Sequence, residues 1–236
     1  MSWRVSVVEV GLIPGLPRSL YVPDAAPDDE LDVPCLVYIL DDGEHVVLVD
    51  SGPDAEAAAR HGFHIEGDTS SSLLRALAKQ HLSPRDVDFI VHTHLHYDHC
   101  QNDPLFPRAE VIVQRVEYAH AKRGGRFYEG VPELLTSLGP RLTTVEGDTS
   151  LLPGLETIAN GGHTPGHQST LVDTPEGRAC LCGDIVSLAA NLSVIGDSCP
   201  DATAARVFLD RAGCTGWEMI PSHEPALRQH RWFVSP

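Results

Sequence analysis

Long apolar runs are missing from this chain of 236 residues. A membrane-spanning helix needs about 20 consecutive apolar residues, and no stretch approaches that length, so we expect no membrane partner. The first ten residues alternate as a strand would, and Glu9 interrupts them before the apolar region of a signal peptide could form. We therefore expect a cytoplasmic protein.

Basic residues are also scarce, because 17 Lys and Arg stand against 33 Asp and Glu and give a formal net charge of −16 at pH 7. An acidic chain without a local basic patch repels phosphate backbones, which argues against nucleic acid as a partner. The chain has six cysteines. Their even number permits disulfides, but a chain of this size without a signal peptide favours free buried thiols.

Histidine, by contrast, is plentiful, with 13 in the chain. Four metal-capable side chains fall within six residues, in the pattern His94-x-His96-x-Asp98-His99. Neutral imidazole nitrogens suit a borderline metal such as zinc, and a carboxylate supplies a harder oxygen ligand. The apolar residues at 87–91 predict a buried strand before this segment. A loop leaving that strand could aim His94 and His96 at one ion, and Asp98 and His99 at a second ion.

The histidine cluster resembles the signature motif of the metallo-β-lactamase superfamily. Four further segments resemble the other motifs of that superfamily, and they occur in the same order. They are Leu48-Val49-Asp50-Ser51-Gly52, Gly162-His163-Thr164-Pro165-Gly166-His167, Cys182-Gly183-Asp184 and Pro221-Ser222-His223. Five ordered elements are more discriminating than one cluster. The resemblance implies an α/β (α+β) fold, a four-layer αβ/βα sandwich of metallo-β-lactamase type, formed by a single domain over residues 1–236.

The resemblance also implies a site for two divalent metal ions. His94, His96 and His163 would hold the first, Asp98, His99 and His223 the second, and Asp184 would bridge both. Zinc is the default ion for histidine and carboxylate ligands, and manganese, cobalt or iron would also suit them. Asp50 would orient a ligand histidine, whereas His167 is interpreted as either an outer-shell residue or a hydrogen-bonded core residue.

Within the superfamily, the closest resemblance is to the N-acyl homoserine lactonases. It includes the His-x-His-Tyr-Asp-His form and the stretches over residues 113–118, 145–148 and 163–169. The implied activity is attack of a metal-bridging hydroxide on a lactone or small carboxylic ester, with Asp98 passing a proton to the leaving group. Those lactonases carry a substrate-contacting Tyr where this chain has Ser187. The alternative is a phosphodiesterase or thioesterase of the same superfamily, and a homodimer stays open.

Turn residues and apolar periodicity also predict the elements of the chain. Strands are expected over residues 1–10, 36–40, 46–50, 87–91, 110–113, 142–145, 155–159, 169–172, 179–183 and 217–220. Helices are expected over 73–81, with serines 70–72 as N-cap, over 116–123 and over 201–212. Five prolines predict a long irregular loop over residues 11–34, either covering a binding site or making a passive or dimer contact. Arg126 and Tyr128 are interpreted as surface residues rather than substrate contacts.

Overall fold

Side chains alternate between two apolar environments along strand β2 (Glu30–Asp41) of the computed structural model, which describes residues 2–229. Cys35, Val37 and Ile39 face one core, whereas the intervening Leu36 and Tyr38 face another. Successive side chains of a strand point to opposite faces of a sheet. The part of the strand that is apolar at every position, residues 33–40, must therefore be covered on both faces.

Two sheets provide that arrangement. The six-stranded sheet has the order β1 (Arg4–Pro17), β2, β3 (Val46–Val49), β4 (Phe89–Val91), β5 (Glu110–Gln114) and β6 (Leu142–Val145). The five-stranded sheet has the order β11 (Glu218–Ile220), β10 (Gly177–Leu181), β9 (Gln168–Thr174), β8 (Leu155–Ala159) and β7 (Thr149–Leu152). Strands β3 to β6 run parallel to one another, and β10 runs parallel to β11, whereas the other pairs are antiparallel.

Helices cover the outer face of each sheet. They are α1 (Ala55–Arg60), α2 (Thr69–Lys79), α3 (Tyr97–Cys100), α4 (Arg115–Ala121), α5 (Val131–Leu138) and α6 (Ala202–Thr215). Leu73 and Leu77 of α2 and Leu135 of α5 belong to the core outside the six-stranded sheet. Ala205 and Phe208 of α6 belong to the core outside the five-stranded sheet. A third core lies between the sheets, so the expected four-layer sandwich is confirmed.

The prediction of an irregular loop over residues 11–34 is wrong. Strand β1 continues to Pro17 and β2 begins at Glu30, which leaves only residues 18–29 as a connection. Pro14 and Pro17 are tolerated because β1 is an edge strand and because its pairing with β2 shifts register between Ile13 and Leu16, around Pro14. Pro34 lies in the part of β2 that does not pair with β3. Proline cannot donate to a ladder, but edges and bulges do not require that donor.

Smaller corrections concern helix ends and short elements. The N-cap of α2 is Asp68, whose side chain accepts from the Ser71 amide, rather than one of the predicted serines. Helix α2 ends at Lys79 rather than at residue 81, and β4 begins at Phe89 rather than at residue 87. Helix α1 and strand β7 were not predicted. The six cysteines are free, as expected, and five of them are buried. None of the helices in residues 2–229 is long and apolar enough to cross a membrane.

Strand ends place the motif residues. Asp50 follows β3, residues 92–99 follow β4, Asp184 follows β10 and His223 follows β11. Because β3 and β4 are parallel to each other, as are β10 and β11, each pair delivers its following loops to one edge of its sheet. The turn between β8 and β9 brings His163 to the same place.

Candidate metal centre

Seven side chains that the sequence predicts as metal ligands lie together at this edge, in two groups. The first cluster is His94, His96 and His163, and the second cluster is Asp98, His99, Asp184 and His223. Within each cluster the candidate ligand atoms all lie within 4.8 Å of one another. The structure thus brings all seven residues together, and their role as ligands stays a prediction.

The first cluster consists of three imidazoles whose nitrogens converge. His163 Nε2 lies 3.1 Å from His96 Nδ1, and the ring of His94 lies 4.6 Å from each of the other two rings. Burial, followed by the neighbouring imidazoles, lowers the pKa of His94 and of His96 well below the usual range. These rings are therefore neutral at pH 7 and present lone pairs rather than protons, as a metal requires.

The second cluster mixes imidazoles with carboxylates. Asp184 Oδ1 lies 3.1 Å from His223 Nε2 and 3.3 Å from His99 Nε2, and Asp98 Oδ2 lies 3.6 Å from the same His99 atom. Burial would lower the pKa of His99, but Asp184, Asp98 and Asp50 together raise it well above its usual range. The carboxylates of this cluster therefore favour positive charge, which a divalent ion would supply.

Asp184 faces both clusters. Its Oδ2 lies 3.6 Å from His163 Nε2 of the first cluster and 3.3 Å from His223 Nε2 of the second, while Oδ1 faces the second cluster alone. Burial would raise the pKa of Asp184, but His223, His99 and His163 lower it well below the ordinary value, so it is a carboxylate. One carboxylate with an oxygen toward each cluster suits ions about 3.5 to 4 Å apart.

Unpartnered nitrogens provide an independent test of whether the residues fit a metal. His94 Nε2 and His99 Nε2 are buried and make no hydrogen bond of good geometry to any residue in the described part of the chain, although the Asp184 carboxylate lies 3.3 Å from His99 Nε2. A buried polar atom without a partner costs about 1–3 kcal/mol. One atom of this kind lies in each cluster, where a metal ion would satisfy it, so the residues fit a two-metal centre.

Hydrogen bonds behind the clusters fix which nitrogen of each ring points inward. His99 Nδ1 lies 2.8 Å from Asp50 Oδ2, His223 Nδ1 lies 2.8 Å from the carbonyl oxygen of Pro34, and His163 Nδ1 bonds the Ser198 carbonyl. In each case Nδ1 donates to oxygen, so Nε2 is the ring nitrogen that points into the clusters. Such partners hold the tautomer and orientation of metal-binding histidines, and the predicted role of Asp50 agrees with its contact.

His167 supports the Asp184 turn rather than either cluster. Its Nδ1 lies 2.7 Å from Asn160 Oδ1, and its Nε2 accepts a hydrogen bond of 3.0 Å from the Asp184 amide. Gly183 permits this approach, since a Cβ there would lie 2.6 Å from His167 Nε2. The backbone of Asp184 is therefore held by an imidazole that burial keeps neutral, with a pKa lowered to about 3.

Glu117 plays a part that sequence reasoning missed. This buried carboxylate accepts four hydrogen bonds, from the Leu95 amide at 3.0 Å, the Tyr128 hydroxyl at 2.9 Å, the Thr164 hydroxyl at 2.7 Å and the Gly166 amide at 3.2 Å. It therefore joins the loop of His94 and His96 to the turn of His163. Glu117 lies in the stretch 113–118 that resembles the lactonases, but that resemblance gave it no role of its own.

Tyr128 was interpreted as a surface residue, and that interpretation is wrong. Its side chain is buried, and its ring lies 4.9 Å from the ring of His96, nearly edge-on. Glu117 holds the hydroxyl, so burial costs no unsatisfied polar group. Arg126, in contrast, is exposed as expected and lies over the ring of Phe127.

A two-sheet sandwich that carries paired histidine and aspartate clusters at one edge defines a class of proteins suited to bind two divalent ions. The chain belongs to the metallo-beta-lactamase superfamily, which it matches over residues 31–223. The family predicted from the five motifs is thereby confirmed.

Several similar proteins are lactonases. An N-acyl homoserine lactonase of Bacillus sp is 31% identical to this chain over 165 residues. The match covers 66% of this chain and 64% of the relative, so the chain spans slightly less than two thirds of the length of that lactonase. A solved N-acyl homoserine lactone hydrolase, with the product N-hexanoyl-L-homoserine at its catalytic metal centre, has a TM-score of 0.81 and 22% identity over 97% of this chain and 96% of its own. AidC, a dizinc quorum-quenching lactonase, has a TM-score of 0.73 and 18% identity over 94% and 88%.

Proposed function

We propose that the chain is a dinuclear metal-dependent hydrolase that opens the ring of an N-acyl homoserine lactone or a related lactone, with small carboxylic esters as the next substrate class. The observation that carries this proposal is the pair of clusters that share Asp184, each with one buried histidine nitrogen left unpartnered. The substrate class is taken from the lactonases that the chain resembles. By hydrolysing such signal lactones, the protein would act in quorum quenching.

Two divalent ions held at these clusters would supply a shared water with a pKa lowered from about 15.7 toward 7, and would polarise the substrate carbonyl. We propose zinc, because the candidate ligands are imidazoles and carboxylates without a thiolate. His94, His96 and His163 would hold the first ion, and Asp98, His99 and His223 the second. Asp184 would lie between them and keep the two sites together.

Substrate approach is limited to the side where the clusters are less buried. His96, His163 and Asp98 are half-buried, whereas the other four candidate ligands are buried. Phe127 is also half-buried and its ring lies 5.3 Å from that of His96, so it offers an apolar surface beside the site for an acyl chain. Asp98 is therefore the carboxylate that a substrate would meet, and we assign it the transfer of a proton to the leaving oxygen.

The compartment is a separate part of the proposal. All six cysteines are free thiols in the structure, and free thiols are typical of a reducing compartment. We therefore place the protein in the cytoplasm, where a lactone carrying an acyl chain would reach it.

A hydrolysis screen tests the proposed activity. The metal-loaded protein should be assayed against N-acyl homoserine lactones, aryl esters, thioesters and phosphodiesters, and we expect the highest kcat/KM on the lactones. His94→Ala should lose metal and activity together, while the matched control His64→Ala, at an exposed histidine outside both clusters, should keep both. A preference for thioesters or phosphodiesters, or full activity in His94→Ala, would contradict the proposal.

A further inference from the structure

A fully buried aspartate, Asp103, lies behind the second cluster and belongs to none of the five motifs. It begins a short 3₁₀ turn, Asp103–Leu105, that comes three residues after the end of α3. Burying a carboxylate is costly unless other groups pair with it and donate hydrogen bonds to it. The partners of Asp103 therefore indicate what this residue does.

Two buried side chains donate hydrogen bonds to Asp103. His92 Nε2 lies 2.9 Å from Asp103 Oδ2 and 3.1 Å from Oδ1, and the Ser51 hydroxyl donates to Oδ1 at 2.7 Å. Ser51 follows Asp50 in the chain, and His92 is the first residue after β4. Asp103 thus joins the segment after β3 to the segment after β4, which carries four of the candidate ligands.

Both partners of Asp103 also contact the pair formed by Asp50 and His99. The second ring nitrogen of His92, Nδ1, lies 3.5 Å from Asp50 Oδ1. The Ser51 amide donates to the His99 carbonyl at 2.7 Å. Asp103 therefore acts on this pair from two sides, through an imidazole that faces the Asp50 carboxylate and through the residue bonded to Asp50.

Asp50 requires support of this kind because its backbone is strained. Its φ angle is +60°, in the left-handed region that residues other than glycine rarely adopt. Such a conformation persists only where the surrounding structure fixes it. In this conformation the carboxylate accepts hydrogen bonds from the Thr93 amide and from His99 Nδ1. The direction in which His99 Nε2 points therefore depends on how firmly Asp50 is held.

We propose that Asp103 is a positioning residue of the second metal site, which holds Asp50 through His92 and Ser51 and thereby fixes the ring of His99 for its ion. This inference rests on the proposed two-metal centre of the hydrolase. Asp103 itself touches neither an ion nor a substrate. The affinity of the second site should therefore depend on a carboxylate that lies two side chains behind a candidate ligand.

The test is a double-mutant cycle on zinc affinity, with Asp103→Asn, Asp50→Asn and the variant that carries both substitutions. In Asp103→Asn an NH₂ group replaces one accepting oxygen, so a donor faces His92 or Ser51. Competition of the metal-free protein with a chelating indicator resolves the two zinc affinities. We expect the second-site affinity to fall about tenfold, the lower end of the loss seen when the partner of a metal-binding histidine is removed. The first-site affinity should stay within about twofold of the wild type.

The double variant separates a positioning role from an independent one. Because Asp103 acts through Asp50, the double variant should bind the second zinc ion within about twofold of Asp50→Asn alone. Independent contributions would instead multiply. Leu77→Ala controls for a general loss of stability, since this buried leucine of α2 lies in the core outside the six-stranded sheet. Its unfolding temperature should fall, while both of its zinc affinities should equal those of the wild type.

Ser51→Ala removes one of the two donors and provides a milder substitution should Asp103→Asn fail to fold. It should also weaken the second site selectively, and two unchanged affinities in this variant would refute the inference.

The outcomes distinguish this inference from the proposed function. A lower unfolding temperature of metal-free Asp103→Asn with both zinc affinities unchanged would show a purely structural role and refute the inference, while the two-metal centre would stand. Multiplied losses in the double variant, or an equal loss of affinity in Leu77→Ala, would refute it as well. A wild-type protein that binds fewer than two zinc ions would overturn the two-metal centre itself.

Discussion

Replacing Asp50 by asparagine should weaken metal binding although Asp50 is not a candidate ligand. Its carboxylate accepts hydrogen bonds from the Thr93 amide at 2.8 Å, the Thr93 hydroxyl at 2.9 Å and His99 Nδ1 at 2.8 Å. An amide has one accepting oxygen, so the asparagine side chain would turn an NH₂ group toward at least one of these donors. The His99 ring would then lose its partner or rotate.

The expected loss of metal affinity follows from the role of the lost hydrogen bond, which joins Asp50 to His99 Nδ1. Removing the partner of a metal-binding histidine typically lowers metal affinity about 10- to 100-fold, which corresponds to about 1.4–2.8 kcal/mol. The loss should fall on the second cluster, because His99 belongs to it. The first cluster should change less, since Asp50 reaches His94 only through the Thr93 hydroxyl, which lies 3.1 Å from His94 Nδ1.

The assay is a competition titration of the metal-free protein against a chelating indicator, which resolves two affinities. We expect the variant Asp50→Asn to weaken one of them by the stated factor. Asp86→Asn is the matched control, because within residues 2–229 the side chain of this exposed aspartate bonds only Ser83. Both metal affinities of this variant should equal those of the wild type. Two unchanged affinities in Asp50→Asn, or a loss mainly at the first cluster, would refute the reasoning.

Three further substitutions test other parts of the site. Glu117→Gln replaces one of the two accepting oxygens by an NH₂ group, so two of the four buried donors lose their acceptor. The free energy of unfolding, measured by denaturant titration, should fall by about 1–3 kcal/mol, and an unchanged value would contradict its bracing role. Ser187→Ala should change kcat/KM on the best substrate by less than about tenfold, and a hundredfold loss of kcat at constant metal content would show direct participation. Phe127→Ala should raise KM for long-chain lactones more than for short-chain ones, and an equal change for both would argue against an acyl contact.

Local patterns predicted the elements that carry the chemistry. The residues after β4 keep the spacing of His94, His96, Asp98 and His99, and the structure brings them to the other three candidate ligands. These assignments succeed because each motif is short and lies where a strand ends. The second half of strand β2 was also foreseen, since the apolar run over residues 36–40 next to turn residues indicates a strand.

Features set by distant contacts were not predictable. Tyr128 is buried because Glu117, eleven residues away, accepts its hydroxyl, and nothing in the adjacent sequence indicates that partner. The extension of β1 past Pro14 depends on a register shift against β2, which prolines alone cannot reveal. Helix α1 is only six residues long, too short for apolar periodicity, although its N-cap Asp54 was a usable signal.

The central claim is that the two clusters bind two metal ions through a shared Asp184. Elemental analysis of the gently purified protein, repeated on Asp184→Ala, tests it most directly. The account predicts about two divalent ions per chain in the wild type, mainly zinc, and a loss of metal in the variant, because both clusters lose the carboxylate that faces them. One ion or fewer in the wild type, with no gain of activity on adding metal, would contradict the account.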